Sequence, residues 1–282
     1  MTIEQGVGGE KLKILGSLAF DAHGLLHVSE RRGGDRVLVF DGAGRFVRSW
    51  GTHGTGDGQF LFDYDPAIGV SPIAIAADGT MYIGDTTGRV QAFDGGGRFL
   101  RKWGGPGGAS EVRRAGGLAI DGRDTLHVAD ADAHRIQMFD FGGRFLGTWG
   151  GPGVGPGQFD RPKQITIDRE GNILVADEGN SRIQVFDRDR RFVRAIGRPG
   201  MGDGEMAKPG PRGVETDRRG DIYVTDKYND RVQKFAADGR FIIQWGGFGS
   251  QGDKLHSPNE VRVDASGDLW VADDYRILVF KQ

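Results

Sequence analysis

Glu215, Glu260 and Arg262 are the residues of this 282-residue chain whose types and spacing most invite chemistry. They sit in two short apolar runs, GVETD and NEVRVD, where a strand would put Glu260 and Arg262 on one face because side chains repeat every second residue. Charge in a confined position is costly unless it is paired or used. The three therefore read either as an ion pair filling space or as a polar anchor for a ligand. His53 and His256, in polar loops, could join them in an enzyme. A lyase or hydrolase built on His53, His256, Glu215, Glu260 and Arg262 could work with or without a divalent ion (calcium or zinc); a metal form would want three convergent nitrogen or carboxylate ligands and one open position. Further along the loops, Arg113, Arg114, Arg161, Lys163, Arg198, Lys208 and Arg212 make a basic sector suited to a carboxylate, a phosphate or a nucleic-acid backbone. Tyr64 and Asp65 lie in a long loop, LFDYDPAIGV, whose Phe62 and Tyr64 could cover a pocket like a lid or pack onto the blade tops.

These residues need elements to position them, and the elements repeat. Gly171 to Asp187 reads GNILVADEGNSRIQVFD: two short runs rich in β-branched residues around a polar turn, the pattern of a β-hairpin. The hairpin occurs six times, its closing aromatic falling at Phe40, Phe93, Phe139, Phe186, Phe235 and Phe280, 45 to 53 residues apart. A strand-type repeat of that period predicts a propeller. Each repeat adds an innermost strand before the hairpin and an outer one after it. The outer strand recurs as RFVRSWG, RFLRKWG, RFLGTWG and RFIIQWG, which assigns Trp50, Trp103, Trp149 and Trp245 to packing between neighbouring sheets, with Ile196 in their place in the fourth. The last repeat ends without an outer strand, and Lys11 to Gly16 fits that pattern ahead of the first. The expected architecture is thus all-β: residues 1–282 form a single six-bladed propeller of four-stranded antiparallel blades, closed when Lys11 to Gly16 completes the last blade.

An acidic residue ends every second strand (Glu30, Asp85, Asp130, Asp177, Asp226, Asp273) and an arginine opens every third (Arg36, Arg89, Arg135, Arg182, Arg231, Arg276). A pair present in all blades is expected to staple the turn; a catalytic site would be asymmetric. The run VADEGNSRIQVFD, with GPGQFDRP ahead of it, resembles the NHL-repeat propellers over essentially the whole chain. That resemblance implies the fold but leaves function open, since such propellers include RNA-binding and protein-binding modules, sensor domains of bacterial receptor kinases and a zinc-dependent lyase that cleaves hydroxyglycine peptides. The lyase resemblance would require histidines entering the channel from several blades, where this chain has Ser17, Pro72, Gly117, Gln164, Gly213 and Glu260.

Departures from the repeat are where function should lie. One innermost position reads Ala19, Ala74, Ala119, Thr166, Glu215 and Arg262, so two adjacent blades place charge where the others place small side chains. His27 and His127 replace apolar or aromatic residues of second strands and read as packing residues. The leading expectation is a rigid binding module that takes a small anionic ligand, a peptide or a protein on its entry-loop face, through Arg113, Arg114, Lys163, Arg212, Glu215, Arg262, Glu260, Tyr64 and Asp65. A small-molecule lyase or hydrolase at the mouth of the channel, with or without a divalent metal, comes second and RNA binding third. Lys plus Arg is 37 against 39 Asp plus Glu, which argues against a wholly electropositive nucleic-acid binder. There is no cysteine, hence no disulfide or thiolate site, and no apolar run long enough to span a bilayer. A cytoplasmic monomer without a membrane partner is expected.

Overall fold

The computed structural model describes residues 1–62, 71–105, 107–108, 110–247 and 254–281. Among them, six four-stranded antiparallel sheets form the blades of a ring. The first blade comprises Leu15–Phe20, Leu26–Glu30, Arg36–Phe40 and Phe46–Trp50, from the axis outward. The fourth repeats this with Pro162–Ile167, Ile173–Asp177, Arg182–Phe186 and Phe192–Ile196. Second strands such as Leu26–Glu30 and Ile173–Asp177 are buried along their whole length, because sheets cover both faces. That is why they read as continuous apolar runs without polar alternation.

Closure of the ring by the amino terminus is borne out, but a different segment performs it. Thr2–Ile3 is the outer strand of the sixth blade, pairing Thr2 with Leu278 and Ile3 with Ile277. Met1 extends the seam, donating to the Val279 carbonyl at 3.2 Å and accepting from the Val279 amide at 2.8 Å. Lys11 to Gly16 is displaced from that role for a steric reason. The innermost strand of blade one must run from the entry loop to the Asp21 turn, which uses Leu15 and Gly16 and pairs Leu15 with Glu30. Leu12 and Ile14, both buried, lead into it.

The tryptophans pack between blades as expected: Trp50 lies 4.8 Å from the Phe93 ring, Trp103 6.1 Å from Phe139 and Trp149 4.8 Å from Phe186. In the fourth blade Ile196 joins an apolar cluster with Met206 and Val214 of the fifth. All six acid–arginine staples form, from 2.6 Å (Arg36 to Glu30, Arg89 to Asp85) to 3.4 Å (Arg135 to Asp130). Their role extends beyond the turn. Arg182 donates to Asp177 at 2.9 Å and also to the Gly155 and Gln158 carbonyls of the incoming loop, while Asp177 accepts the Asp160 amide at 2.7 Å. Each staple thus fixes an entry loop to its blade, with the acid's burial cost met by charge-assisted hydrogen bonds.

Candidate functional site

Two polar tiers lie along the axis, at opposite ends of the innermost strands. These strands start at the entry loops, where Leu15, Ala115 and Pro162 pair with Glu30, Asp130 and Asp177. They end at the tight turns on the far face, where Phe20, Ile120 and Ile167 pair with Leu26, Leu126 and Ile173.

The entry-face tier is assembled from blades four, five, six and one. Lys163 and Arg212 precede the wall of the channel, and both reach Glu178, at 3.6 and 2.8 Å. All three are essentially buried. The Arg212–Glu178 approach is close but lies off the hydrogen-bonding angle, leaving a charge contact rather than a clean bidentate pair. Lys227 donates to Asn259 at 2.8 Å, Asn259 donates to Asp274 at 3.2 Å, and His256 stands 3.3 Å from Asp274. None of these cations is without a partner. Burial, then repulsion from Arg212, pulls both Lys163 and Lys227 down to about 7, and Arg31 adds to the repulsion on Lys227. Four buried cations from three blades therefore share one mouth.

Sequence reasoning found Lys163 and Arg212 but missed Arg31, Glu178, Lys227, Asn259 and Asp274. A signal was there: the residue after each staple acid reads Arg31, Thr86, Ala131, Glu178, Lys227 and Asp274, a column as irregular as the Glu215–Arg262 one.

The second tier corrects an expected location. Glu215, Arg262 and Thr166 do line the channel together, but near its far end: they share a level with Ala19, which pairs with His27 one step before the last pair of the strand. Ala19 lies four residues beyond Leu15, roughly 13 Å along a strand. They are therefore not contacts of the entry-loop face. Arg262 reaches Glu215 at 3.1 Å and Glu260 at 2.9 Å, and its Nε donates to the Leu18 carbonyl at 2.9 Å. Thr166 donates to Glu215 at 3.0 Å. Glu260 is buried between the tiers. Desolvation pushes its carboxyl up to about 8, with Arg262 opposing and Glu215 reinforcing the shift.

A carboxyl whose folded pKa exceeds its ordinary 4.5 binds more protons in the native state. Its contribution therefore weakens as pH rises from about 4.5 to about 8 and is level above. Glu260→Gln is expected to flatten that decline, gaining more over the natural chain at pH 9 than at pH 5. Denaturation midpoints at the two values check it, and equal differences would refute it.

The remaining candidates are scattered. Arg113 is exposed beside Glu111 at 3.7 Å, Arg114 is tied to Asp132, Arg161 lies near Asp160 at 3.7 Å, and Arg198 pairs with Glu205 at 3.0 Å. The basic sector thus divides into a locally paired rim and the buried Lys163–Arg212 centre. His53 pairs with Asp35 at 2.5 Å in blade one, and His256 with Asp274 in blade six; neither contacts Glu215 or Glu260. The structure therefore does not assemble the expected His53–His256–Glu215–Glu260 set. Among the described residues no three His, Asp or Glu side chains are grouped to hold a metal ion, and the channel carboxylates already face Arg262. His27 and His127 are buried against Asp21 and Asp121, at 3.2 and 3.0 Å, as packing residues. Phe62 is buried and stacked on Phe60 at 4.7 Å, packing beneath rather than covering a pocket, while Tyr64 and Asp65 lie outside the described residues.

A ring of six four-stranded blades with an axial channel defines a six-bladed β-propeller. Residues 159–186 and 209–235, the hairpins of the fourth and fifth blades with the segments leading into them, match the NHL repeat family model. No curated protein sequence matches the chain. Among solved structures it is similar to a streptogramin B lyase (TM-score 0.66, 10% identity, 99% of this chain and 98% of that one). It is also similar to a virginiamycin B lyase from Staphylococcus aureus with quinupristin (0.66, 10%, 97% and 82%). A Bacteroides thetaiotaomicron protein of unknown function aligns at 0.70 and 17% identity, over 99% and 76%. At these identities the likeness is one of fold. No helix among the described residues is long and apolar enough to cross a membrane.

Proposed function

We propose that this propeller is a binding module that takes a small anionic ligand, or an acidic group of a peptide or protein, at the entry-face mouth of its channel. The carrying observation is the convergence of Lys163, Arg212, Lys227 and Arg31 on that mouth, with Arg113 and Arg161 exposed around it. Lys163 and Lys227, whose protonation is weakened by burial and then by the neighbouring Arg212, gain from a carboxylate or phosphate that joins or exchanges with their present partners. The module acts as a monomer, and the cysteine-free sequence suits the cytoplasm.

Titration with inorganic phosphate and succinate at low salt, read as thermal shift, tests this. A ligand at a hundred times its Kd stabilises by about 2.7 kcal/mol. Lys227→Met is expected to remove the shift, and Arg113→Glu to weaken capture of an acidic partner without lowering Tm. Arg113 is preferred to Arg114, whose bonds to Asp132 are structural. Absence of a saturable shift with either anion would sink the reading. A lyase acting on a compound like that of the streptogramin B lyases is the second reading, supported by fold likeness alone. Loss of quinupristin with the appearance of a new species, followed by chromatography, would decide for it.

A further inference from the structure

The far end of the channel holds a cavity of about 320 Å³, away from the entry-face cations. Its cross-section is divided. Blades one to three contribute Ala19, Ala74 and Ala119, while blades four to six contribute Thr166, Glu215 and Arg262 at the same level. Small side chains on one half leave the space; polar ones on the other half leave hydrogen-bonding capacity beside it. Arg262 uses Nε on Leu18 and Nη1 on Glu215, and among the described residues its Nη2 makes no hydrogen bond. Glu215 accepts from Thr166 and the Thr216 amide on one oxygen and from Arg262 on the other, so that second oxygen retains acceptor capacity.

Charge then selects the ligand class. Glu260, 2.9 Å from Arg262, is pushed up to about 8 by burial and is protonated near pH 7, so Glu215 at 3.1 Å supplies the charge that neutralises the guanidinium; an entering anion would meet the Glu215 carboxylate and an entering cation the guanidinium. We propose that this pocket binds a small neutral molecule with an apolar body and a head group that both accepts and donates hydrogen bonds, as a carboxamide does. The head lies against Arg262 Nη2 and Glu215, and the body against the alanine half, with Ile75 and Ile120 at the rim. Convergent polar groups facing small apolar side chains across a cavity of this size can fix the head of a small molecule and leave room for its body. The site is independent of the anion reading at the other mouth.

Benzamide is a suitable probe, with benzoate and benzylammonium as charged controls. On the full chain with methyl-labelled alanine, benzamide is expected to shift the Ala19, Ala74 and Ala119 methyl signals saturably, and both controls at least tenfold more weakly. Ala119→Leu or Ala74→Leu, which fill the space, should abolish benzamide binding while leaving the entry-face response to phosphate intact. If either filling variant fails to fold, the methyl titration of the natural chain still decides. No saturable alanine shift, tighter binding of either charged control, or binding that survives the filling variants would overturn the proposal.

Discussion

Arg212→Met should lower the unfolding free energy by about 3–5 kcal/mol, the cost of leaving a buried charge without its partner. Arg212 is fully buried and lies 2.8 Å from Glu178, itself buried, with Lys163 farther off at 3.6 Å. Methionine fills much of the arginine volume, so the loss is chiefly electrostatic. Lys163 cannot compensate in full, since burial already holds its ammonium near 7. For a chain of this size the midpoint should fall by about 10 °C. The double variant Arg212→Met with Glu178→Leu removes both charges and should recover much of the loss, because an apolar replacement of a buried ion pair is often neutral and Lys163, already held near 7 by burial, can go neutral once Glu178 is gone. Urea denaturation of the four members of the cycle gives the coupling. A single-variant loss below about 1 kcal/mol would show that the cluster contributes no net stability, and would leave ligand binding as the reason for burying four cations.

The cluster also shows what the sequence could carry. The fold was legible because it is written six times over: the aromatics from Phe40 to Phe280, the acid–arginine staples and the tryptophan column each recur with the blade, and the structure uses all three as the repeats imply. The level of a residue along the axis was also latent in the register. Glu215 stands in the column of Ala19, next to the far-face turn, and the alternation of a strand fixes its face but not which mouth it serves until the strand's ends are known. Contacts between blades were not legible. Lys227 meets Asn259, and Thr166 meets Glu215, across gaps of 32 and 49 residues, and no local pattern encodes the pairing. His53 and His256 illustrate the opposite error: loop histidines on one face look convergent in sequence, yet each is held by the acid of its own neighbourhood, Asp35 or Asp274.

The closing seam carries the second large effect, and it lies in a segment whose sequence offers little signal. Ile3 is one of two residues in the outer strand of the sixth blade, yet it is buried in the cluster that joins blades one and six, with Leu12, Leu38, Trp270 and Ile277. The fit is tight: a Cβ on Gly44 would approach Ile3 to 2.9 Å, so the Gly44 turn has been kept bare to admit it. Truncating a buried isoleucine costs about 2–5 kcal/mol, and a carboxylate in its place adds the penalty of an unpaired buried charge. Ile3→Asp should therefore detach Met1 to Ile3 altogether, exposing the Ile277–Phe280 edge that they cover. Two measurements separate this from a merely local lesion. Hydrogen exchange should accelerate first at the Val279 amide, which donates to Met1, while the Phe139 and Phe186 strands on the other side of the ring stay protected. The denaturant midpoint should also fall well below that of a control at an exposed site such as Val47→Asp. If Ile3→Asp and Val47→Asp unfold together, Thr2–Ile3 does not hold the ring closed, and the seam must rest on the packing of Leu12 and Leu15 alone.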